Sequence, residues 1–154
     1  MKVQRIYTDT SVIGGCFDDE FADGSNGLMA DFERGIFLPV VSVVVAAEVA
    51  EAPDFVQAKF AELLSFGADV LDISVEAMRL AELYQKRGIL GPNFFNDGLH
   101  IALATVAEID VIVSWNFKHI VNFQKIRRFN AVNLELGYRM IGIYSPNEVR
   151  TYET

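Results

Sequence analysis

Short apolar runs alternate along the chain with longer segments whose apolar residues recur at helical spacing. The runs predict five strands, Val3–Tyr7, Ile36–Val41, Val70–Ile73, Ile109–Ser114 and Met140–Tyr144. Helices are predicted between them over Ser25–Arg34, from Ser42 past Glu48 and Glu51, from Pro53 to Gly67, from Ser74 to Gly88, over Asn93–Ala107 and from about His119 to Gly137. This alternation predicts an α/β fold with a mainly parallel central sheet of about five strands and helices on both faces.

Capping residues define where the predicted helices begin. Ser25 and Ser74 are placed at N-caps, because a serine hydroxyl accepts a hydrogen bond from a free N–H of the first turn. Pro53 is placed in a first turn, where its missing N–H has no cost. Either Asn93 or Asn96 is predicted to begin the fifth helix.

Composition narrows the class of protein. A length of 154 residues fits one domain over 1–154, and 51% hydrophobic with 22% charged residues excludes a disordered chain. The single cysteine, Cys16, excludes an internal disulfide framework and a cysteine-rich zinc site. The most apolar stretch, Ile36–Ala47, is shorter than a membrane span, and no signal peptide is visible, so a reducing cytoplasmic location is expected.

Four polar residues are spread along the chain but can meet at one edge of such a sheet. Asp9 directly follows the first strand, and Asn116 lies two residues after Ser114. Asp97 begins a long apolar helix, and Glu48 lies on the helix after the second strand. Ligands of open α/β sheets bind beyond the carboxyl ends of the strands. Carboxylates that meet there repel one another unless a hard cation such as Mg²⁺ or Mn²⁺ neutralises them.

Each of these residues also has a purely structural interpretation. Asp9 can cap a helix, and Asp97 can interact with a helix dipole. Glu48 can be a solvated helix residue, with Glu51 one turn later competing for any role, and Asn116 can be a turn residue. Spacing alone favours these structural roles.

The motifs considered together resemble a PIN domain, and more narrowly the VapC-like toxin ribonucleases of prokaryotic toxin–antitoxin pairs. The resemblance spans nearly the whole chain and is most specific in the Asp-x-x-His-x-Ala helix and the Ser-Trp-Asn-x-Lys-His run. It rests on Asp9-Thr10-Ser11, Glu48, Asp97 through Ala104, Asp110 through Ile120, and the tail Asn133 through Tyr138 with Ser145 through Glu148. It implies a three-layer α/β/α PIN-like fold and hydrolysis of RNA phosphodiester bonds with Mg²⁺ or Mn²⁺.

The resemblance also implies roles for individual residues. Asp9, Glu48 and Asp97 match the three acids of the family, and Asn116 stands where many members have a fourth aspartate. The implied metal ligands are Asp9, Asp97 and Asn116, supported by Ser11, Ser114 and His100. Asn116 carries no charge, so a second metal ion would be held less strongly. His100 is alternatively a packed, hydrogen-bonded structural histidine.

A net charge of −8 argues against a protein that binds nucleic acid through bulk positive charge. Residues 111–134, however, contain no Asp or Glu. This window predicts a positive rim for RNA phosphates, with a solvated helix face as the alternative. The rim residues are Lys118, His119, Lys125, Arg127 and Arg128.

The family resemblance further implies an antitoxin protein as partner and a homodimer. Three other functions stay open at this point. A Mg²⁺-dependent phosphatase would use Asp9 as nucleophile, although Ser11 stands where such enzymes have a second aspartate. A non-catalytic PIN-like module would bind RNA or protein without cleavage, and an oligomerisation unit would need no metal.

Overall fold

A central sheet of five parallel strands organises the computed structural model, which describes residues 2–153. The strands lie in the order β3-β2-β1-β4-β5, and every neighbouring pair is parallel. They are β1 (Gln4–Thr8), β2 (Phe37–Ser42), β3 (Asp69–Leu71), β4 (Val111–Val113) and β5 (Gly142–Tyr144). The predicted α/β class and the five-strand parallel sheet are confirmed.

Helices connect consecutive strands on both faces of the sheet. The described helices are α1 (Thr10–Gly15), α2 (Ala22–Glu33), α3 (Val43–Ala50), α4 (Asp54–Ser65), α5 (Val75–Lys86), α6 (Phe95–Val106), α7 (Phe123–Glu135) and α8 (Pro146–Val149). A short 3-10 turn, Pro92–Phe94, leads into α6. Among the described residues, no helix has the length and apolar character needed to cross a membrane.

The strand order explains the three layers. From β1 the chain moves outward to β2 and β3, and it then returns across the sheet to β4 and β5. Right-handed crossovers place the helices of these two halves on opposite faces. Accordingly, α1, α2 and α4 pack together, while α5 packs on α6 and its Tyr84 meets Phe129 of α7 edge to face at 4.9 Å. The direction reverses between β1 and β4, so a crevice is expected beyond their carboxyl ends.

The central strands are apolar on both faces, which a sheet covered on both sides requires. Ile6 and Tyr7 of β1 are buried, as are Val40 of β2 and Ile112 of β4. Tyr7 lies opposite both Val40 and Ile112 in the ladder. This packing fixes the ends of β1 and β4 relative to each other.

Several predicted helix boundaries are wrong, and each has a physical reason. Helix α2 begins at Ala22, three residues before the predicted N-cap Ser25. Ser25 is instead buried inside the helix, where its hydroxyl donates to the Val12 carbonyl and accepts from Trp115 Nε1. Pro53 is the N-cap of α4 instead of a first-turn residue.

The starts of α6 and α7 also differ from the prediction. Neither Asn93 nor Asn96 caps α6, whose N-cap position is Phe94 after the 3-10 turn. Helix α7 begins only at Phe123, because Asn122 provides the cap through a bond from Lys125 N. Helices α1 and α8 were not assigned from the sequence, since both are too short to show a periodic apolar pattern.

Candidate functional site

The polar site lies at the crevice between the ends of β1 and β4. Asp9 is the first residue after β1 and the N-cap of α1, and its N–H donates to the Val113 carbonyl at 3.3 Å. Ser114 follows β4 directly, and its N–H donates to the Tyr144 carbonyl of β5. Strand pairing therefore brings residues from distant parts of the chain to one place.

Two serine hydroxyls surround the buried carboxylate of Asp9. Ser11 Oγ donates to Asp9 Oδ1 and Ser114 Oγ donates to Asp9 Oδ2, both at 2.6 Å. The Val12 N–H adds a longer bond of 3.4 Å, which is the helix cap predicted as the structural alternative. Burial raises the pKa of Asp9, although the nearby charge of His100 and these hydrogen bonds partly oppose the shift. Asp9 is thus both a cap and a destabilised carboxylate.

Glu48 lies on α3 and is held by two side chains from other elements. Its Oε1 accepts from Thr10 Oγ1 at 2.9 Å and pairs with His100 Nε2 at 2.8 Å. The Glu48 side chain is 37% exposed, whereas that of His100 is 3% exposed. Partial burial raises the pKa of Glu48, but the hydrogen bond and charge of His100, with the Thr10 bond, bring it below its usual value.

A chain of hydrogen bonds continues from His100 into the core. Tyr7 Oη lies 2.7 Å from both His100 Nδ1 and Ser42 Oγ, and Ser42 Oγ accepts from Val45 N as the N-cap of α3. These contacts form one continuous hydrogen-bonded chain that runs from Ser42 through Tyr7 and His100 to Glu48. Burial raises the pKa of Tyr7, so its hydroxyl proton stays in place. His100 is therefore a packed, hydrogen-bonded histidine that also orients a predicted site acid.

Asp97 shares the electrostatic environment of the other two acids. It lies in the first turn of α6 and is partly buried. Burial raises its pKa, the negative charges of Asp9 and Glu48 add to the increase, and His119 and His100 oppose it. The charges of Asp9 and Glu48 thus act on the ionisation of Asp97, as expected for carboxylates brought to one edge of the sheet.

Asn116 occupies the turn after β4. Its Oδ1 accepts from His119 N at 2.9 Å, and its own N–H donates to Ser114 Oγ at 2.9 Å. The His119 ring stacks on Phe94 at 3.9 Å, and its Nδ1 is buried without a hydrogen-bond partner in residues 2–153. The structural alternative for Asn116, a turn residue, is therefore present, and the second lone pair of its carbonyl stays available.

The oxygen donors of the site are of the types that a hard cation binds, but their arrangement fits such an ion less well. Among residues 2–153, no three His, Cys, Asp or Glu side chains lie close enough together to hold a metal ion. The acids instead have protein partners, since Asp9 accepts hydrogen bonds from two serines and Glu48 pairs with His100. Oxygen donors of these types suit Mg²⁺ and Mn²⁺, and burial raises the pKa values of Asp9 and Asp97, whose negative charges a bound cation would stabilise. Burial destabilises the charged forms of Asp9 and Asp97, whereas the bonds of Glu48 to His100 and Thr10 lower its pKa, so a cation would relieve the two aspartates more than Glu48.

The predicted rim divides into two groups. Lys125 Nζ donates to the Ile89 carbonyl at 2.8 Å, and the Arg128 guanidinium donates to the carbonyls of Arg87 and Gly88 beyond α5. These two cations therefore support the fold, and their contact with RNA stays a prediction.

The second group of rim residues shares the exposure of Arg128 but not its hydrogen bonds to backbone carbonyls. Lys118 and Arg127 are exposed, and the Arg127 guanidinium lies 5.7 Å from the centre of the Phe123 ring. Both lie in the stretch of chain that contains no acidic residue. These cations are better placed than Lys125 or Arg128 to meet a phosphate.

Sequence reasoning missed two residues that shape the site, Thr10 and Tyr7. Thr10 is the neighbour of Asp9, yet its hydroxyl binds Glu48 of α3. Tyr7 is a buried strand residue whose hydroxyl joins Ser42 to His100. A tyrosine in the strand that leads to Asp9 was the available signal, because a buried hydroxyl needs a partner.

Comparisons with known proteins support the fold. No protein-family model matches the chain, and no curated protein matches it. The crystal structure of VapBC2 from Rickettsia felis bound to a DNA fragment from their promoter is similar, with a TM-score of 0.54. The two chains are 20% identical, and the similarity covers 75% of this chain and 90% of that chain. At this identity the likeness concerns the fold, and it agrees with the predicted three-layer PIN-like architecture.

Proposed function

We propose that the chain is a metal-dependent endoribonuclease, a single PIN-like domain over 1–154 that acts as the toxin of a toxin–antitoxin pair. The observation that carries the proposal is that the charge of Asp9, directly after β1, acts on Asp97 in the first turn of α6. Burial raises both pKa values, and the charge of Asp9 adds to the increase at Asp97. Two carboxylates near each other, both destabilised by burial, lower the stability of the folded state. Such an arrangement is typical of functional sites, and a bound cation would compensate for it.

In this proposal Asp9 and Asp97 hold a Mg²⁺ or Mn²⁺ ion, with the carbonyl oxygen of Asn116 as a further ligand. When bound, the ion neutralises charge on the phosphoryl oxygens and lowers the pKa of bound water. Ser11 and Ser114 orient Asp9 through their two short hydrogen bonds. Glu48, fixed by His100 and Thr10, contributes negative charge beside the pair.

Cleavage of a structured RNA pool with Mn²⁺, Mg²⁺ or EDTA tests the proposal. We expect cleavage by the wild type with either ion, no cleavage with EDTA, and no cleavage by Asp97→Asn. The melting temperature is measured alongside, because an ion at 100 times its Kd stabilises the folded state by about 2.7 kcal/mol. That increase should be lost in Asp97→Asn.

A second candidate function, a non-catalytic RNA- or protein-binding module, is favoured by the missing three-residue metal arrangement in residues 2–153. The same experiment separates the two candidates. No cleavage and no metal-dependent change in melting temperature would replace the nuclease by the binding module. A phosphoenzyme trapped on Asp9 would instead support the phosphatase.

An antitoxin partner, a homodimer and a cytoplasmic location complete the proposal. The net charge of −8 suits a basic partner segment. Phe17 and Phe55 supply an accessible apolar contact, since their rings meet edge to face at 4.8 Å while remaining about half exposed. Light scattering on the purified chain would test the dimer, with a monomer at all concentrations as the contrary result.

A further inference from the structure

A surface cavity of about 300 Å³ adjoins the acidic site. It is lined by Ser11, Gly14, Gly15, Asp18, Phe21, Trp115 and Asn116. Ser11 belongs to both features, because its hydroxyl donates to Asp9 Oδ1. Asn116 connects to the site through its N–H bond to Ser114 Oγ. The volume lies at the lower end of the roughly 300–1,000 Å³ typical of small-molecule pockets.

One wall of the cavity is a fixed aromatic pair. The rings of Phe21 and Trp115 are stacked, with centroids 4.4 Å apart and planes at 18°. Trp115 is held at both ends, since its Nε1 donates to Ser25 Oγ at 2.8 Å and its backbone N–H donates to Ser11 Oγ at 2.9 Å. This wall is therefore rigid and apolar, which favours a flat aromatic ligand.

Two adjacent glycines of α1 contribute differently to the cavity. A Cβ on Gly15 would lie 2.6 Å from Trp115 Nε1, so Gly15 lets the indole pack against the helix. A Cβ on Gly14 would meet no atom within 4 Å. The space above Gly14 is consequently open to a ligand.

We propose that this cavity binds one nucleobase of a single-stranded RNA, stacked on the partly buried Phe21 ring, which itself stacks on the buried Trp115. The proposal rests on the nuclease function above and deepens it by adding a base-binding subsite. Because Ser11 is both a cavity wall and a hydrogen-bond donor to Asp9, a base held here brings its own phosphate towards the acids. Stacking on aromatic side chains is the usual means of holding unpaired bases.

Charged residues at the edge of the cavity indicate how a nucleotide would be oriented in this subsite. Asp18 lines the cavity, and its Oδ1 is fixed by the Glu20 N–H at 2.9 Å. A carboxylate repels phosphate but accepts hydrogen bonds from the amino groups of bases. Lys118, exposed two residues after Asn116, supplies positive charge in the loop that follows the site. The base is therefore expected at the Asp18 side and the phosphate at the other.

Intrinsic fluorescence can test the subsite, because Trp115 is the only tryptophan of the chain. Wild-type protein in EDTA is titrated with hexaribonucleotides of A, C, G or U and with an abasic hexamer of the same charge. We expect quenching by base-containing hexamers, with the abasic hexamer at least ~10-fold weaker, since stacking on aromatic side chains holds unpaired bases. Asp18→Asn should weaken the binding of amino-bearing bases relative to U.

Gly14→Leu is the decisive variant, because it places an apolar side chain at a position where a Cβ would meet no atom within 4 Å. Ala61→Leu, which adds the same bulk on an exposed position of α4, is the matched control. We expect Gly14→Leu to weaken hexamer binding at least ~10-fold at an unchanged or higher melting temperature, since glycine is a poor helix former, and Ala61→Leu to have no effect.

Equal binding by Gly14→Leu and wild type would overturn the proposal, as would equal quenching by the abasic hexamer. Either result, found together with metal-dependent cleavage, would leave the nuclease function intact. Conversely, base-dependent binding lost in Gly14→Leu without any cleavage would support the subsite and contradict the nuclease. Quenching by a short basic peptide but by no hexamer would assign the cavity to a protein segment.

Discussion

The Ser114 hydroxyl donates to Asp9 Oδ2 at 2.6 Å, which joins two residues 105 positions apart in the chain. Each residue directly follows a strand, and β1 and β4 are neighbours in the sheet. The bond therefore forms only when this strand pair has formed. Through it, the folded sheet both creates the buried carboxylate and provides a donor that partly stabilises its charge.

Removing this donor tests how much the site depends on it. In Ser114→Ala, Asp9 loses one of its two serine donors and Asn116 N–H loses its acceptor. We expect the free energy of unfolding to fall by roughly 1–3 kcal/mol, because both lost hydrogen bonds involve buried or partly buried groups. Metal affinity should fall roughly 10- to 100-fold, as found for groups that orient a ligand.

Urea denaturation and the metal dependence of melting temperature measure the two effects of Ser114→Ala. Ser65→Ala on α4 is the control, because its exposed hydroxyl donates only to a carbonyl of its own helix. Unchanged metal affinity in Ser114→Ala would show that Ser114 supports the fold without orienting a ligand.

We expect the burial of Asp9 to lower the free energy of unfolding as pH rises. An acid held in an ion pair has the opposite effect. Its pKa is raised by burial, so its stabilising contribution is present below about pH 4 and is lost as pH rises through the raised pKa. Asp9→Asn removes this loss. We therefore expect the variant to gain stability relative to wild type as pH increases, while cleavage falls more than ~100-fold.

Thermal melts of both proteins between pH 3 and 8 in EDTA would measure this difference. Glu48 has a lowered pKa, so its contribution is lost instead as pH falls through that value. Because Glu48 is present in both proteins, the difference between them reports Asp9 together with its effect on the pKa of Asp97. A difference that does not change with pH would contradict the raised pKa of Asp9.

The fold could be predicted because its signals are local and repeated. Buried parallel strands are continuous apolar runs, so segments such as Ile36–Val41 and Ile109–Ser114 were recognisable. Helix ends were less predictable, because a serine can serve as a cap or as a buried partner. Ser74 is a cap, whereas Ser25 is bound by Trp115, and only the tertiary structure separates them.

The candidate site could be predicted only in part. Position after a strand made Asp9 and Asn116 candidates, placement on helices that can meet the same sheet edge added Glu48 and Asp97, and the family resemblance added Ser114. The hydrogen-bond partners could not be predicted, since Thr10 binds Glu48 across 38 positions of the chain. Whether a side chain binds a cation or a neighbouring hydroxyl depends on distances in the folded protein, and the spacing of residues along the sequence does not determine these distances.

Two arginines on adjacent positions of α7 should behave differently. Arg127 is exposed beside Phe123, whereas Arg128 donates to two carbonyls beyond α5. Arg127→Ala should weaken RNA binding and reduce the slope of log K against log salt by about 1, with little change in stability. Arg128→Ala should instead lower stability by about 1 kcal/mol. Equal salt slopes for Arg127→Ala and wild type would remove Arg127 from the RNA rim.

Alanine substitutions at the adjacent glycines of α1 should have opposite effects on stability. In Gly15→Ala the new Cβ would lie 2.6 Å from Trp115 Nε1 and 2.7 Å from Ser25 Oγ, and the stacked Phe21 leaves the indole little freedom to move. We expect a loss of about 1–3 kcal/mol from this overpacking. In Gly14→Ala the Cβ meets no atom within 4 Å, so the higher helix propensity of alanine should stabilise the protein by up to ~1 kcal/mol.

Thermal melts report this difference directly, since 1 kcal/mol corresponds to about 2–4 °C in a domain of this size. The near-ultraviolet circular dichroism of the single tryptophan serves as the control, because only Gly15→Ala should disturb the packing of Trp115. Equal melting temperatures for the two variants would mean that the indole yields easily. The aromatic wall would then be mobile, and a base stacked on it would be held less firmly, because part of the binding energy would be used to order the wall.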